Sequence, residues 1–150
     1  MQLTTNFTLQ ELIKSQTALR LDIRNIPSEE EVANLRLVAE HILQPVRDHF
    51  KIPFVPTSGY RCRALNRALK SKDTSQHIKG QAVDLEIPTI SNLDLASWIR
   101  DTLKFDQLIL EFYTAGDKAS GWVHCSYVEK NRRMAVINIA DDKEKQSAFA

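Results

Sequence analysis

An α+β domain is what this sequence predicts, and three observations predict it. Thr8-Leu9-Gln10-Glu11 and Ser28-Glu29-Glu30-Glu31 are capping boxes in the first third of the chain, each opening a run suited to a helix. From residue 82 onward the pattern changes to strand-length stretches, over 82–87, 105–113, 121–128 and 134–139. One helical stretch, opened by Ser91-Asn92-Leu93-Asp94, is inserted among them. The expected architecture is therefore N-terminal helices packed on a small, mostly antiparallel sheet.

The elements can be justified in order. The Thr8 hydroxyl is placed for the amide three residues on while Glu11 reaches back, so a first helix should run from residue 8 to about 18. Residues 21–27 read as a loop. The second capping box adds three carboxylates at the positive end of a helix dipole, and Val32, Leu35, Val38, Ala39, Ile42, Leu43 and Val46 follow at helical spacing. This makes 28–50 the main helix, with Pro45 expected to kink it. Residues 54–58 look like a short edge strand, since Pro53 and Pro56 would spoil a central one. A helix over 62–69 and a polar loop over 70–76 come next. In 82–87, Val83, Leu85 and Ile87 alternate with Ala82, Asp84 and Glu86, which turns the carboxylates away from the core. In the inserted helix Leu95, Trp98, Ile99 and Leu103 form the buried stripe. The strands 105–113 and 121–128 are joined by the loop 114–120, where Gly116 and Asp117 favour a turn, 134–139 is a last, apolar strand, and the charged tail 141–150 is expected to fray.

The 150 residues suit one domain spanning 1–150, with a 43% hydrophobic and 26% charged composition typical of globular chains. Lys+Arg of 20 against Asp+Glu of 19 leaves +1, which gives no reason to expect nucleic acid as a partner. The basic residues Arg61, Arg63, Arg67, Lys70 and Lys72 read as a solvated helix face. Cys62 and Cys125, the only cysteines, are expected to be reduced. Residues 1–6 lack the basic-then-apolar pattern of a secretory leader and no apolar run reaches membrane-spanning length. The expectation is a chain without a membrane span, cytoplasmic as synthesised.

The chemistry concentrates in Ser75-Gln76-His77-Ile78-Lys79-Gly80-Gln81-Ala82-Val83-Asp84, answered some forty residues later by Trp122-Val123-His124. Gly80 can take φ > 0, so the chain can reverse after His77 and enter a strand at Ala82. Trp122, His124 and Ser126 share one face of their strand. If that strand neighbours 82–87, His124 meets Asp84 and His77, giving the three ligands plus water of an open zinc site. His41 and His49 have no partner at metal-binding spacing and read as surface or capping histidines. Cys125 follows His124 but points to the opposite face, so it is discounted as a nucleophile.

Ser58-Gly59-Tyr60-Arg61, Ser75-x-His77-x-x-Gly80-x-Ala82-x-Asp84 and Trp122-x-His124, in this order and spacing, resemble the signatures of the zinc D-alanyl-D-alanine peptidases. That is the M15 family, with its phage endolysins and cell-wall carboxypeptidases. The resemblance covers most of the chain from about Phe7 to Tyr127, and the N-terminal helices fit the phage-type branch. It implies a hedgehog/DD-peptidase-like fold and a zinc-dependent peptidase acting on peptidoglycan peptides, as a carboxypeptidase or an endopeptidase. It implies His77, Asp84 and His124 as Zn2+ ligands, Arg61 facing a substrate carboxylate or oxyanion, and Ser75 orienting a ligand or substrate group. Tyr60 and Trp122 are candidates to line the peptide groove. With no separate wall-binding domain, such a lysin would wait in the cytoplasm and act on the wall after release.

In one respect the chain departs from the pattern. Several family members place an acid three residues before the last histidine, where this chain has Gly121. Glu111 is the candidate general base instead, because it ends an apolar strand on the face of Gln107 and Ile109, and an antiparallel hairpin would bring it beside the metal. Glu86 is the reserve. The missing acid also leaves a second reading open, a zinc-containing wall-binding or virion module with little turnover.

Overall fold

The computed structural model describes residues 1–139 and 145–146. Its N-terminal third is helical, but the first helix differs from expectation. The Thr8 capping box is formed, yet α1 (Leu9–Ile13) stops at Lys14, because Ser15 adopts an extended backbone and caps a second helix, α2 (Gln16–Arg20), by accepting the Ala18 N–H. The main helix begins as expected, with Ser28 and Glu31 completing a second capping box on α3 (Glu29–Val38). Here Pro45 is accommodated by a wide turn, Ala39–Leu43, in which the Gln44 N–H reaches back to the Ala39 carbonyl before α4 (Gln44–Phe50) continues. A residue without an N–H sits where the regular ladder has already been interrupted.

The edge strand expected over 54–58 does not form. Pro53 and Pro56 remove amides from it, and the segment meets the sheet through a single bridge between Ser58 and Asp84. That bridge is well made, with the Asp84 N–H on the Ser58 carbonyl at 2.8 Å and the Thr57 N–H on the Asp84 carbonyl at 2.9 Å. Beyond it lie α5 (Arg63–Ala68), a single tight turn Gln76–Lys79, and β1 (Ala82–Leu85). The remaining elements are α6 (Asn92–Thr102), β2 (Gln107–Tyr113), β3 (Trp122–Ser126), β4 (Met134–Ile139) and β5 (Lys145–Gln146). The expected fraying over 141–150 falls outside the described residues, apart from this last pair.

The sheet has the order β1-β3-β2-β4-β5, and every pairing is antiparallel except β2 with β4. Its register assigns the two faces. Val83 lies opposite Cys125, Leu85 opposite Val123, Leu108 opposite Cys125 and Leu110 opposite Val123, and all six are fully buried. They pack with Leu12, Leu35, Ile42 and Leu43 from the helices and with Leu95 and Ile99 from α6 in one core. Each such side chain contributes roughly 1.5–3 kcal/mol, and a one-residue slip would expel all of them, so the register is firmly held. The opposite face of the same strands carries Asp84 beside His124, His124 beside Ile109, and Trp122 beside Glu111.

Candidate metal centre

His77 arrives on the tight turn Gln76–Lys79, which Ser75 caps by accepting the His77 N–H at 3.2 Å. Gly80 ends the turn with φ 71°, as the spacing anticipates, and sends the chain into β1. Asp84 and His124 then meet across the β1–β3 pair. The Asp84 Oδ1 lies 3.0 Å from His124 Nδ1 and 3.4 Å from His77 Nε2. One ligand atom from each residue falls within 4.8 Å of the others, a group able to hold a metal ion.

The surroundings of this group suit a cation. His77 Nδ1 is 2.6 Å from the Gly59 carbonyl, which can only accept, so Nδ1 carries the proton and Nε2 presents its lone pair to the centre. Burial pushes the His77 imidazole below its ordinary pKa, favouring the neutral form a metal needs. Burial works the other way on Asp84, but the hydrogen bond from His124, 3.0 Å away, and the His77 ring close by outweigh it and hold the carboxyl well below the usual range. Two imidazoles and an ionised carboxylate, all nearly buried, are a donor set for a borderline divalent ion.

The Ser58-Gly59-Tyr60-Arg61 segment surrounds this group. Ser58 bridges β1 through its backbone and accepts Arg61 Nε at 3.0 Å, the Gly59 carbonyl orients His77, and the Arg61 N–H donates to the His77 carbonyl at 3.1 Å. Arg61 Nη2 reaches Asp84 Oδ2 at 3.2 Å, which leaves Oδ1 directed at the two histidines. Tyr60 differs from its expected role. Its ring is 6% exposed in the core, not on the cleft, and burial with Glu31 nearby pushes its hydroxyl up to about 12.

The three residues open onto a cleft of about 700 Å³, which Arg61, Ser75, Glu111 and Trp122 also line. Glu111 lies opposite Trp122, two positions along β3 from His124, a diagonal spacing of roughly 7–8 Å across a sheet. Immediately after it the strand bulges: Phe112 has φ 52° and the register shifts between Leu110 and Tyr113. The bulge stacks Phe112 on Trp122 at 5.1 Å. Gly121 faces this bulge with φ 71°, and any Cβ there would fall on the Glu111 carbonyl oxygen. Asn92 Nδ2 holds the same corner from α6, 2.7 Å from the Gly121 carbonyl. Position 121 therefore has no room for an acid. Glu86, the reserve base, is exposed beyond the end of β1, accepts from Asn92 Nδ2 at 3.1 Å and does not line the cleft.

The other candidates resolve simply. His41 stacks on Tyr127 at 4.1 Å and His49 on Trp98 at 4.3 Å, and neither belongs to the His77, Asp84 and His124 group. Cys62 and Cys125 are free thiols, and burial pushes the Cys125 thiol far up, which leaves it unreactive. Sequence reasoning missed Asn25 and Asn66. Asn25 accepts the Cys62 N–H at 2.7 Å and donates to the Tyr60 carbonyl at 2.9 Å, and buried Asn66 accepts from Arg61 Nη1 at 3.4 Å. Asn25 acts across the tertiary fold, whereas Asn66 works locally, close in sequence to both Arg61 and the Lys72 carbonyl that it also holds, and neither stands in a motif that marks such a role. No helix among the described residues is long and apolar enough to cross a membrane. A family model described as Peptidase M15 matches residues 5–126. No curated protein matches the chain.

Proposed function

The chain belongs to the M15 peptidase family, a metallopeptidase family, and from that premise we propose that it is a zinc-dependent hydrolase of peptidoglycan peptides. The observation that carries this reading is the convergence of His77, Asp84 and His124 at the floor of an open cleft. Three protein ligands of this kind leave a position for water, as catalytic zinc sites do. When bound, zinc lowers the pKa of such a water to about 7 and polarises a carbonyl.

The chain's own residues would do the rest. Glu111, on the cleft wall, accepts the proton from the attacking water and returns it to the leaving amine. Arg61 fixes the orientation of Asp84 and offers positive charge beside it, where negative charge develops on the scissile carbonyl. Ser75 holds the His77 turn, and Trp122 offers an aromatic face to the peptide.

The test is mass spectrometry of fragments released from purified peptidoglycan of several chemotypes, with and without a zinc chelator. Chelator-sensitive release is expected. Loss of a terminal D-alanine would identify a carboxypeptidase, and internal cuts an endopeptidase of the endolysin kind. A second reading, a wall-binding or virion module that retains zinc without turnover, draws on the glycine where relatives carry an acid. A zinc-loaded protein that releases nothing from any wall would establish that module in place of the hydrolase.

A further inference from the structure

The cleft has a second guanidinium on its wall, and it comes from outside the span that the family model matches. Arg132 follows β3, beyond residue 126, and its side chain is 54% exposed where it lines the cleft. What holds it is Asp106, whose carboxylate is only 2% exposed. The Asp106 Oδ1 accepts the Arg132 backbone N–H at 2.9 Å and Nε at 3.0 Å, and Oδ2 accepts Nη2 at 2.7 Å. Oδ2 also accepts Gln76 Nε2 at 2.8 Å, which ties this fork to the residue next to His77.

The two arginines of the cleft are thus held differently. Arg61 is 15% exposed and has Nε on Ser58, Nη1 on Asn66 and Nη2 on Asp84. A guanidinium carries five N–H donors in one plane, and the fork to Asp106 uses only the Nε side of Arg132. Its Nη1 edge is directed away from Asp106, and no hydrogen bond from Nη1 occurs among the described residues. An ordinary surface arginine would lose side-chain freedom on gripping a ligand. Arg132 has already lost it to the buried carboxylate, so it is preorganised for a planar anion.

We infer that Arg132 binds a carboxylate of the substrate peptide and that Asp106 is its positioning residue. This rests on the peptidase reading and deepens it, because it requires a substrate with a free carboxylate near the scissile bond. In a peptidoglycan stem that group is either the chain terminus or an acidic side chain. Both present the same fork of oxygens.

Three synthetic stem peptides separate these sources: one with all carboxylates free, one with a C-terminal carboxamide, and one with the side-chain carboxylate amidated. Binding to the zinc-loaded protein is measured by calorimetry, and cleavage by chromatography. The wild type should prefer the free acid over one of the two amides by about 10- to 100-fold in Kd, and the amide that loses affinity names the carboxylate. Arg132→Gln should collapse that preference toward unity with zinc still bound at one equivalent. Should Arg132→Gln fail to fold, Arg132→Lys, which keeps the charge without the fork, should reduce the preference at least about threefold. Equal binding of all three peptides by the wild type, binding of none, or a preference that survives both variants would overturn the assignment. Preference without cleavage would remove the hydrolase reading and leave Arg132 in place. Cleavage with a preference indifferent to Arg132 would do the reverse.

Discussion

Each oxygen of Asp84 is committed to a different neighbour, Oδ1 to the two histidines and Oδ2 to Arg61, so removing either partner should be felt at the metal. Asp84→Ala is expected to bind well under one equivalent of zinc by elemental analysis, and a full equivalent would refute the ligand set. Arg61→Ala should keep the site but weaken zinc by about 10- to 100-fold, the usual effect of losing a residue that orients a ligand, as a competitive chelator titration would read. Glu111→Gln should leave zinc content intact while lowering kcat/KM at least about 100-fold, and unchanged turnover would exclude it from proton transfer. The grouping of His77, Asp84 and His124 was legible because His77, Gly80 and Asp84 form a local pattern and because strand alternation puts His124 on a definite face. Tyr60 was misjudged because its neighbours in the motif face the site while its own ring turns into the core. Asp106 and Arg132 escaped notice altogether, since a carboxylate and a guanidinium 26 residues apart announce nothing until the fold joins them.

Among the elements, the β2–β3 corner makes the sharpest claim. Gly121 is in the left-handed region with the Glu111 carbonyl where a side chain would start. Gly121→Ala should therefore cost at least about 1–3 kcal/mol, visible as a lower denaturant midpoint at constant slope. An unchanged midpoint would show that the corner relaxes freely. The starts of α1, α3 and α6 were readable from their caps, and β1, β2, β3 and β4 from their patterns. The single helix expected over 8–18 failed because Ser15 competes as a cap, and the strand over 54–58 failed because two prolines leave too few amides to sustain a ladder. In each case a local signal was present, and a stronger neighbour overrode it.

For the molecule as a whole, two devices join segments distant in sequence. Asp106 ties the loop after β3 to the His77 turn, and hydrogen bonds from Arg132, opposed in part by burial, draw its carboxyl down from 3.8 to about 2. Because the folded carboxyl titrates below its unfolded value, its stabilisation is complete above about pH 4 and is lost as pH falls through about 2. Screening at the exposed end of Arg132 leaves this on the order of 1 kcal/mol. An acid titration of the melting temperature should accordingly lose this increment in Asp106→Asn. The second device is the His77, Asp84 and His124 group, and zinc is the ion with which to test it. At roughly a thousandfold its Kd it should add about 4 kcal/mol, raising the melting temperature by on the order of 10 °C, and a chelator should reverse the gain.

The close approach of Gly121 to the Glu111 carbonyl also constrains how this sequence can change over generations. An acid cannot be introduced at 121 while the Phe112 bulge persists, and straightening the bulge would release Trp122 from its stack before any new acid had a function. A carboxylate at 121 could thus be reached only through a chain that has first lost the packing of this corner. Substitutions at 112 and 121 should therefore be coupled, and a library selected for folding should accept changes at the cleft rim sooner than at that turn.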